Sequence, residues 1–512
     1  MDAVAGAHHR MESATLTRPR PGLGWLTRLQ AVPPSTWARL GLAGLVLAAG
    51  IGFVAYPTFP TYDSYYALIW GRDLLHLHLP AFGVYRAPTE HPLLIAFGAL
   101  LSLAGQSADR LLVGITVASY VALIAGVYRL ARHAFTPLVA VLAVFLLGTR
   151  FYIAFLAARG YLDIPYLALV VWAGVLEAER PRRGTPVFLL LAAAGLLRPE
   201  AWLITGLYFL WCAWPASWAQ RVRYAAVAAI GPVVWAGVDA AVTGDPLYSL
   251  HSTSGLADEL GRANGLSGVP SSLVNFLTRI DHASVLLAGI AGLVLALWLA
   301  PRRALVPAIL AAIGVGTFGL VGLFGLSIID RYLLVPSIMA MIFAAMTLGG
   351  WSLLRPGTWL RRAWVVAAAV VAFVGVVDGV NALNFDNVTS ELRFRTDSHD
   401  ALVRLLANHN VRAGMRCGPI SVPNHKLTPE IRWILDTGPN SVIARSDART
   451  RTQSGDPRLE QRLRRGVAIY PIGVAVFREA IVDPGDDPID QVPPAGFTRA
   501  ATTQYYAAYV RC

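Results

Sequence analysis

Ionisable residues in this sequence collect where long apolar runs end: Asp63, Glu90, His91, Arg159, Asp163, Arg198, Glu200, Asp330 and Arg331. Each costs about 2.5 to 3.5 kcal/mol in the middle of a membrane-inserted helix, so such placement needs a compensating role. A carboxylate can take a proton from an attacking hydroxyl, and a guanidinium can hold an anion in two directed hydrogen bonds. Asp63 stands in Tyr62-Asp63-Ser64-Tyr65-Tyr66, where helix N-capping is the competing role. Asp163 follows Ala158-Arg159-Gly160-Tyr161-Leu162 and could instead be a structural partner of Arg159.

The elements that must position these groups are membrane spans. The 512 residues are 55% hydrophobic and only 14% charged, too apolar for an ordinary soluble domain. Gly41 to Tyr56 and Val365 to Val377 are apolar around their whole circumference, so lipid must cover them. About eleven spans are expected, near 37–57, 108–131, 136–157, 164–179, 186–198, 199–215, 224–243, 283–300, 304–326, 332–350 and 364–382. Several are shorter than the ~20 residues of a perpendicular crossing.

The net charge of +12 is carried by arginine, Lys426 being the single lysine, which suggests a high-GC coding bias such as that of actinobacteria. The arginines lie in short clusters at hydrophobic boundaries, which fits the positive-inside rule and excludes a nucleic-acid partner. Alternate connections hold Arg129/Arg132, Arg180/Arg182/Arg183, Arg221/Arg223, Arg302/Arg303 and Arg355/Arg361/Arg362. Residues 1–36 then form a cytoplasmic tail of a multi-pass protein of the cytoplasmic membrane. The loops 58–107 and 244–282 lie outside, with all the conspicuous carboxylates.

From about 383 the composition becomes polar and rich in Gly and Pro, so residues 383–512 are expected to form an extracytoplasmic mixed α/β domain. Cys417 and Cys512 fall in it and either form a disulfide or remain two thiols, whereas Cys212 lies within a span. In the first loop, Ala67 to Leu79 reads as an interfacial helix, and the apolar stretch 93–105 as a re-entrant or interfacial piece. The second loop begins Gly244-Asp245-Pro246-Leu247-Tyr248-Ser249-Leu250-His251, which either covers a site or is an ordinary turn.

The order of these features resembles the GT-C superfamily of membrane glycosyltransferases, in the branch of protein O-mannosyltransferases and lipid A aminoarabinose transferases. The resemblance covers roughly residues 40 to 350. It rests on Asp63 after the first span, His91-Pro92-Leu93 before Leu-Leu-Ser-Leu-Ala-Gly at 100–105, Ala158 to Asp163, Leu197-Arg198-Pro199-Glu200-Ala201-Trp202, and Asp330-Arg331-Tyr332-Leu333-Leu334-Val335-Pro336. It implies an all-α, GT-C-like polytopic fold over 37–382 and transfer of a mannose- or arabinose-type sugar from a polyprenyl-phosphate donor to an envelope glycan, lipid or protein. Asp63 would then be the catalytic carboxylate, with Asp163 orienting it or an arginine, or binding sugar hydroxyls. Arg198, Arg331 and Tyr332 would hold the donor phosphate. Glu90, His91, Arg159, Glu200, Tyr248 and His251 are candidates for acceptor or sugar contact.

The chain departs from the family where relatives pair acids in the first loop, here Asp63-Ser64-Tyr65, and where His-Pro-Pro-Leu becomes His-Pro-Leu-Leu. One carboxylate and a remote Asp163 make a thin ligand set for a hard divalent cation, so no cofactor is assigned with certainty. Neither zinc spacing nor a phosphate-cradling Gly-rich loop is present. A lipid-linked glycan flippase or transporter is the competing class, and an inactive glycan-binding homologue a third. A translocation path calls for polar groups at mid-membrane depth, whereas these gather at one face.

Overall fold

The structure is a computed structural model that describes residues 34–259, 262, 265–382, 385–478 and 492–512. Most of the expected N-terminal tail therefore lies outside the described residues. The chain groups into two compact units, Met1–Leu45 and Val46–Cys512. The first contributes the start of helix α1 (Pro34–Ala55), and everything that follows belongs to the second.

Apolar runs uninterrupted by charge give long helices: α4 (Ala108–Ala134), α10 (Trp218–Thr243), α14 (Pro301–Leu323), α15 (Leu334–Gly349) and α16 (Trp359–Ala382). Where Pro, Gly or a charge interrupts, helices shorten: α5 (Pro137–Gly148), α6 (Phe151–Ala158), α7 (Asp163–Glu179), α8 (Thr185–Leu197), α9 (Glu200–Ala213) and α13 (Ala283–Leu299). The first loop supplies α2 (Tyr62–Leu75) and α3 (Pro92–Ser102), and the second supplies α11 (Tyr248–Glu259) and α12 (Val269–Asp281).

All eleven expected spans are helical, yet eleven crossings are not established. Six helices among the described residues are long and apolar enough to cross a membrane, or up to eight if α5 with α6, bent by 65°, and the stretch Leu266–Asp281 with α13, bent by 103°, each count as one. The shortfall has a local cause. Arg198-Pro199 separates α8 from α9, and a 13-residue helix such as α8 reaches only ~20 Å against a hydrocarbon core of ~30 Å. The chain is thus a multi-pass membrane protein whose bundle mixes full spans with broken ones.

Small residues bring the helices together, as expected where lipid removes the hydrophobic drive for association. A Cβ at Gly292 of α13 would strike the Phe343 carbonyl of α15, and one at Gly289 would lie 2.9 Å from the Ala340 carbonyl oxygen. The tightest crossing that matters for the site is α2 on α3. A Cβ at Gly71 would meet the backbone of Ala99 and Gly98, and one at Gly98 would meet the Ala67 carbonyl.

The C-terminal segment is mixed α/β: α17 (Phe385–Ala407), α18 (His409–Met415), β1 (Ile420–Val422), α19 (Thr428–Leu435), β2 (Val442–Ala444), α20 (Arg445–Gln453), α21 (Arg458–Arg462), β3 (Gly466–Pro471), α22 (Ala475–Arg478), β4 (Thr498–Thr502) and β5 (Tyr506–Arg511). The sheet order is β2-β1-β3-β5-β4, with β2, β1 and β3 parallel and β5 antiparallel to both neighbours. Its core holds Leu402, Leu405, Val422, Ile431 and Ile469. Cys417 and Cys512 are joined by a disulfide with their Cα atoms 5.2 Å apart, while Cys212 is buried and free in α9.

This segment grips α2. Arg72 pairs with Asp436 at 2.6 Å and lies over the Trp433 ring at 5.0 Å, and Tyr62 meets His425 edge to face at 5.3 Å between ring centroids. Because the α2–α3 crossing leaves no room for a methyl group, Gly71→Val should destabilise the folded protein by at least ~2 kcal/mol. A thermal melt of the purified variant in detergent checks this; an unchanged melting temperature would show that the two helices do not meet there.

Candidate active site

The residues before α2 are laced to the turn before α7. Thr61 donates its N–H to the Arg159 carbonyl at 3.0 Å, Ser64 Oγ donates to the Gly160 carbonyl at 2.7 Å, and the Thr58 hydroxyl donates to the Ala158 carbonyl. Gly160 has φ +70° and faces Pro60, a position where a side chain would be strained. These bonds set Asp63, the second residue of α2, near Asp163, the first of α7. Asp63 does not cap its helix: Thr61 occupies the N-cap, and its side chain meets Ser64 Oγ at 3.3 Å without capping a backbone N–H.

Arg331 joins the two carboxylates. Its Nη1 lies 3.3 Å from Asp163 Oδ2 and 3.7 Å from Asp63 Oδ2, and its guanidinium sits 5.2 Å from the Tyr161 ring centroid. Asp163, fully buried, also receives the Arg198 guanidinium. The backbone carbonyl of Arg159, the residue the sequence offered as its partner, accepts the Thr61 N–H. Removing one member of so buried a set would strand a charge, which costs several kcal/mol. Arg198 is held further by Glu200 at 3.0 Å and lies over the Tyr332 ring at 5.1 Å. Asp330 turns away and takes hydrogen bonds from Tyr152 at 3.0 Å and Arg279 at 2.5 Å.

A narrow cleft lies beside this cluster. Arg198, Glu200, Arg331 and Tyr332 line its polar side, and Ile204, Thr317 and Val335 its apolar side. Within this cluster, the carboxylate oxygens Asp63 Oδ1 and Glu200 Oε2 are buried without a hydrogen-bond partner among the described residues. The arrangement can accept a proton at one place and hold an anion at another. It suits a divalent cation poorly, because Arg331 occupies the position between Asp63 and Asp163, and no group of three His, Cys, Asp or Glu side chains gathers among the described residues.

His91 stays near this centre. Burial, with Arg198 and Arg331 close by, lowers its pKa to about 3, so the ring is neutral; it meets Trp235 edge to face at 5.7 Å. Glu90, beside it, belongs to a different cluster. Ser249 Oγ lies 2.9 Å from Glu90 Oε2 and 2.8 Å from Asp239 Oδ1, and accepts the Trp235 indole N–H at 2.8 Å. Ser249 N–H also donates to Asp239 Oδ2 at 2.9 Å. One hydroxyl proton cannot serve two carboxylates, so one of them must carry a proton, and burial raises the Glu90 pKa to about 7. With Thr89 against Thr253 at 2.8 Å and Arg86 against Glu259 at 2.9 Å, this cluster fastens α11 to the first loop.

Tyr248, which precedes Ser249, sits by Gly83, and the exposed His251 pairs with Asp245 at 2.7 Å; neither is among the residues lining the pocket. Asp239 was legible as an acid inside the apolar run 224–243. Ser249, Tyr152 and Arg279 carried no such signal.

Up to eight spans among the described residues, broken helices and an α/β segment against the first loop make a fold like that of solved structures of GT-C glycosyltransferases. Among solved structures it is similar to ArnT from Cupriavidus metallidurans bound to undecaprenyl phosphate, with a TM-score of 0.54 and 13% identity over 93% of this chain and 98% of that one. The apo form of the same protein gives a TM-score of 0.54 and 15% identity over the same shares. The Archaeoglobus fulgidus oligosaccharyltransferase, tethered to an acceptor peptide containing the NVT sequon, gives 0.50 and 13% identity over 92% of this chain and 74% of that one. No family model matches the chain, and no curated protein does.

The Glu90 cluster makes the attachment of α11 depend on pH. A carboxyl whose folded pKa lies near 7 instead of the usual 4.5 favours the folded state fully below pH ~4.5, and this contribution is lost as pH rises through 7. The melting temperature should therefore fall between pH ~5 and ~8, and Glu90→Gln should flatten that slope. Equal slopes in the two proteins would show that Glu90 does not carry the proton.

Proposed function

We propose that the chain is a glycosyltransferase that moves a sugar from a polyprenyl-phosphate donor to an acceptor of the cell envelope, on the outer face of the cytoplasmic membrane. The observation that carries this reading is Arg331, held between Asp63 and Asp163 at the edge of a pocket that is basic on one side and apolar on the other. A lipid phosphate needs both sides: arginines for its charge, and a passage between helices for its chain. ArnT, whose fold this chain shares, was solved with such a lipid phosphate. The C-terminal segment, as a domain from about 383, belongs outside, and its disulfide fits an oxidising compartment.

The chemistry is a displacement at the anomeric carbon. The acceptor hydroxyl gives its proton to Asp63 while its oxygen bonds to that carbon, and the bond from carbon to phosphate oxygen breaks. The electron pair stays on the lipid phosphate, where Arg331 and Arg198 stabilise it in a partly dehydrated site. Asp163 fixes both guanidiniums and so acts on the reaction through them. Glu200 orients Arg198 and leaves one oxygen for a sugar hydroxyl, as neutral His91 does with its unpartnered Nδ1. A mannose- or arabinose-type sugar, hexosyl or pentosyl, is the class proposed.

Asp63→Asn should lower sugar transfer by about 10²- to 10⁴-fold, the usual worth of a positioned general base. Full transfer activity in the purified variant would sink the mechanism. Arg331→Ala should weaken binding of undecaprenyl phosphate about 10- to 100-fold, as expected for losing a charged hydrogen bond; an unchanged affinity would remove Arg331 from the phosphate site.

A further inference from the structure

Arg331 is carried by very little chain. It sits in a single 3-10 turn, Asp330–Leu333, between α14 and α15. One such turn has few internal hydrogen bonds and does not hold its own direction in space. Contacts from other elements must set it.

Those contacts fall on Asp330, the neighbour of Arg331. Asp330 Oδ2 accepts the Tyr152 hydroxyl at 3.0 Å and the Arg279 guanidinium at 2.5 Å. Tyr152 lies in the first turn of α6 and Arg279 in the last turn of α12, and both helices adjoin a sharp break. The bend from α5 to α6 is 65°, and that from Leu266–Asp281 to α13 is 103°. The two breaks are joined: Arg150 at the first donates from Nη1 to the Asp281 carbonyl at the second, at 3.1 Å. Asp281, fully buried, also accepts the Ser337 hydroxyl of α15 at 2.7 Å. At the second break His282 has φ +66°, a conformation that costs a residue with a side chain and persists where its surroundings impose it.

Two consequences follow for Arg331. Successive side chains of a 3-10 turn diverge by about 120°, so tying Asp330 to α6 and α12 turns its neighbour towards Asp63 and Asp163. A carboxylate next in sequence would also compete for the Arg331 guanidinium; with Tyr152 and Arg279 upon it, Asp330 leaves that guanidinium to the site. The helix that continues the turn, α15, is fixed to the same corner through Ser337.

We propose that Asp330 is the positioning residue for Arg331, and that the two broken spans, through Tyr152 and Arg279, form the mount that aims this arginine at the donor phosphate. The inference rests on the transferase reading and adds to it what sets the phosphate-binding arginine. It also gives the charges at the two breaks a use: Arg150 and Asp281 hold together the corner from which Tyr152 and Arg279 reach Asp330.

The test titrates undecaprenyl phosphate against the full-length protein in detergent, as wild type, Asp330→Asn, Tyr152→Phe, Arg331→Ala and the double variants with Arg331→Ala. Asp330→Asn should weaken binding about 10-fold and Tyr152→Phe about 3-fold, through the loss of one charged and one neutral hydrogen bond. In the Arg331→Ala background either change should shift the affinity by less than about 2-fold, because a residue that acts through Arg331 then has nothing to act on. A merely structural staple would lower the fraction of protein that binds, or weaken both backgrounds alike. Either of those results, or unchanged affinity in both single variants, would overturn the proposal. Tyr152→Phe removes one hydroxyl and no charge, so it completes the cycle even where Asp330→Asn fails to fold. Failure of the lipid to bind wild type, or equal binding to Arg331→Ala, would refute the transferase reading and the proposal with it; sensitivity to Arg331→Ala alone would refute only the proposal.

Discussion

The arrangement depends on one shared cation. Arg331 stands between Asp63 from the first loop and Asp163 from the start of α7, and Asp163 in turn holds Arg198 from the break between α8 and α9. Four distant stretches of chain are tied at one point. In low dielectric such a network is favourable only when each charge has its partners, so the helices that deliver them cannot drift independently. The backbone bonds from Thr58, Thr61 and Ser64 to residues 158–160 hold two of those stretches before any charge is considered.

Rigidity around this point comes from absent side chains. Gly71 against Gly98 fixes the helix that carries Asp63, and Gly289 and Gly292 let α13 approach α15, the helix that follows Arg331. The membrane bundle thus spends its closest contacts on the elements that present the charged cluster. The C-terminal segment adds a third restraint through Arg72, Trp433 and Asp436.

Much of this was legible in the sequence, and the reasons differ by feature. Hydrophobic runs located every helix of the bundle, because lipid exposure demands apolarity all round; they did not fix the crossings, because breaks such as Arg198-Pro199 shorten helices that look continuous in composition. Asp63, Asp163, Arg198, Glu200, Arg331 and Tyr332 stood out as charges and a tyrosine at helix ends, and the structure brings them together. Glu90 stood out for the same reason but faces Ser249 and Asp239, since sequence shows that a group is at a boundary and not which way its helix is rolled.

The serine set between Glu90 and Asp239 couples chain movement to protons in solution. While α11 is docked, Glu90 keeps its proton up to about neutrality; once withdrawn into water it returns to the usual carboxylate range and gives the proton up. Any ligand that draws α11 away near pH 6 must therefore release close to one proton per molecule. The apparent heat of that binding would then change with the ionisation enthalpy of the buffer, a thermodynamic signature of loop movement that needs no view of the loop itself.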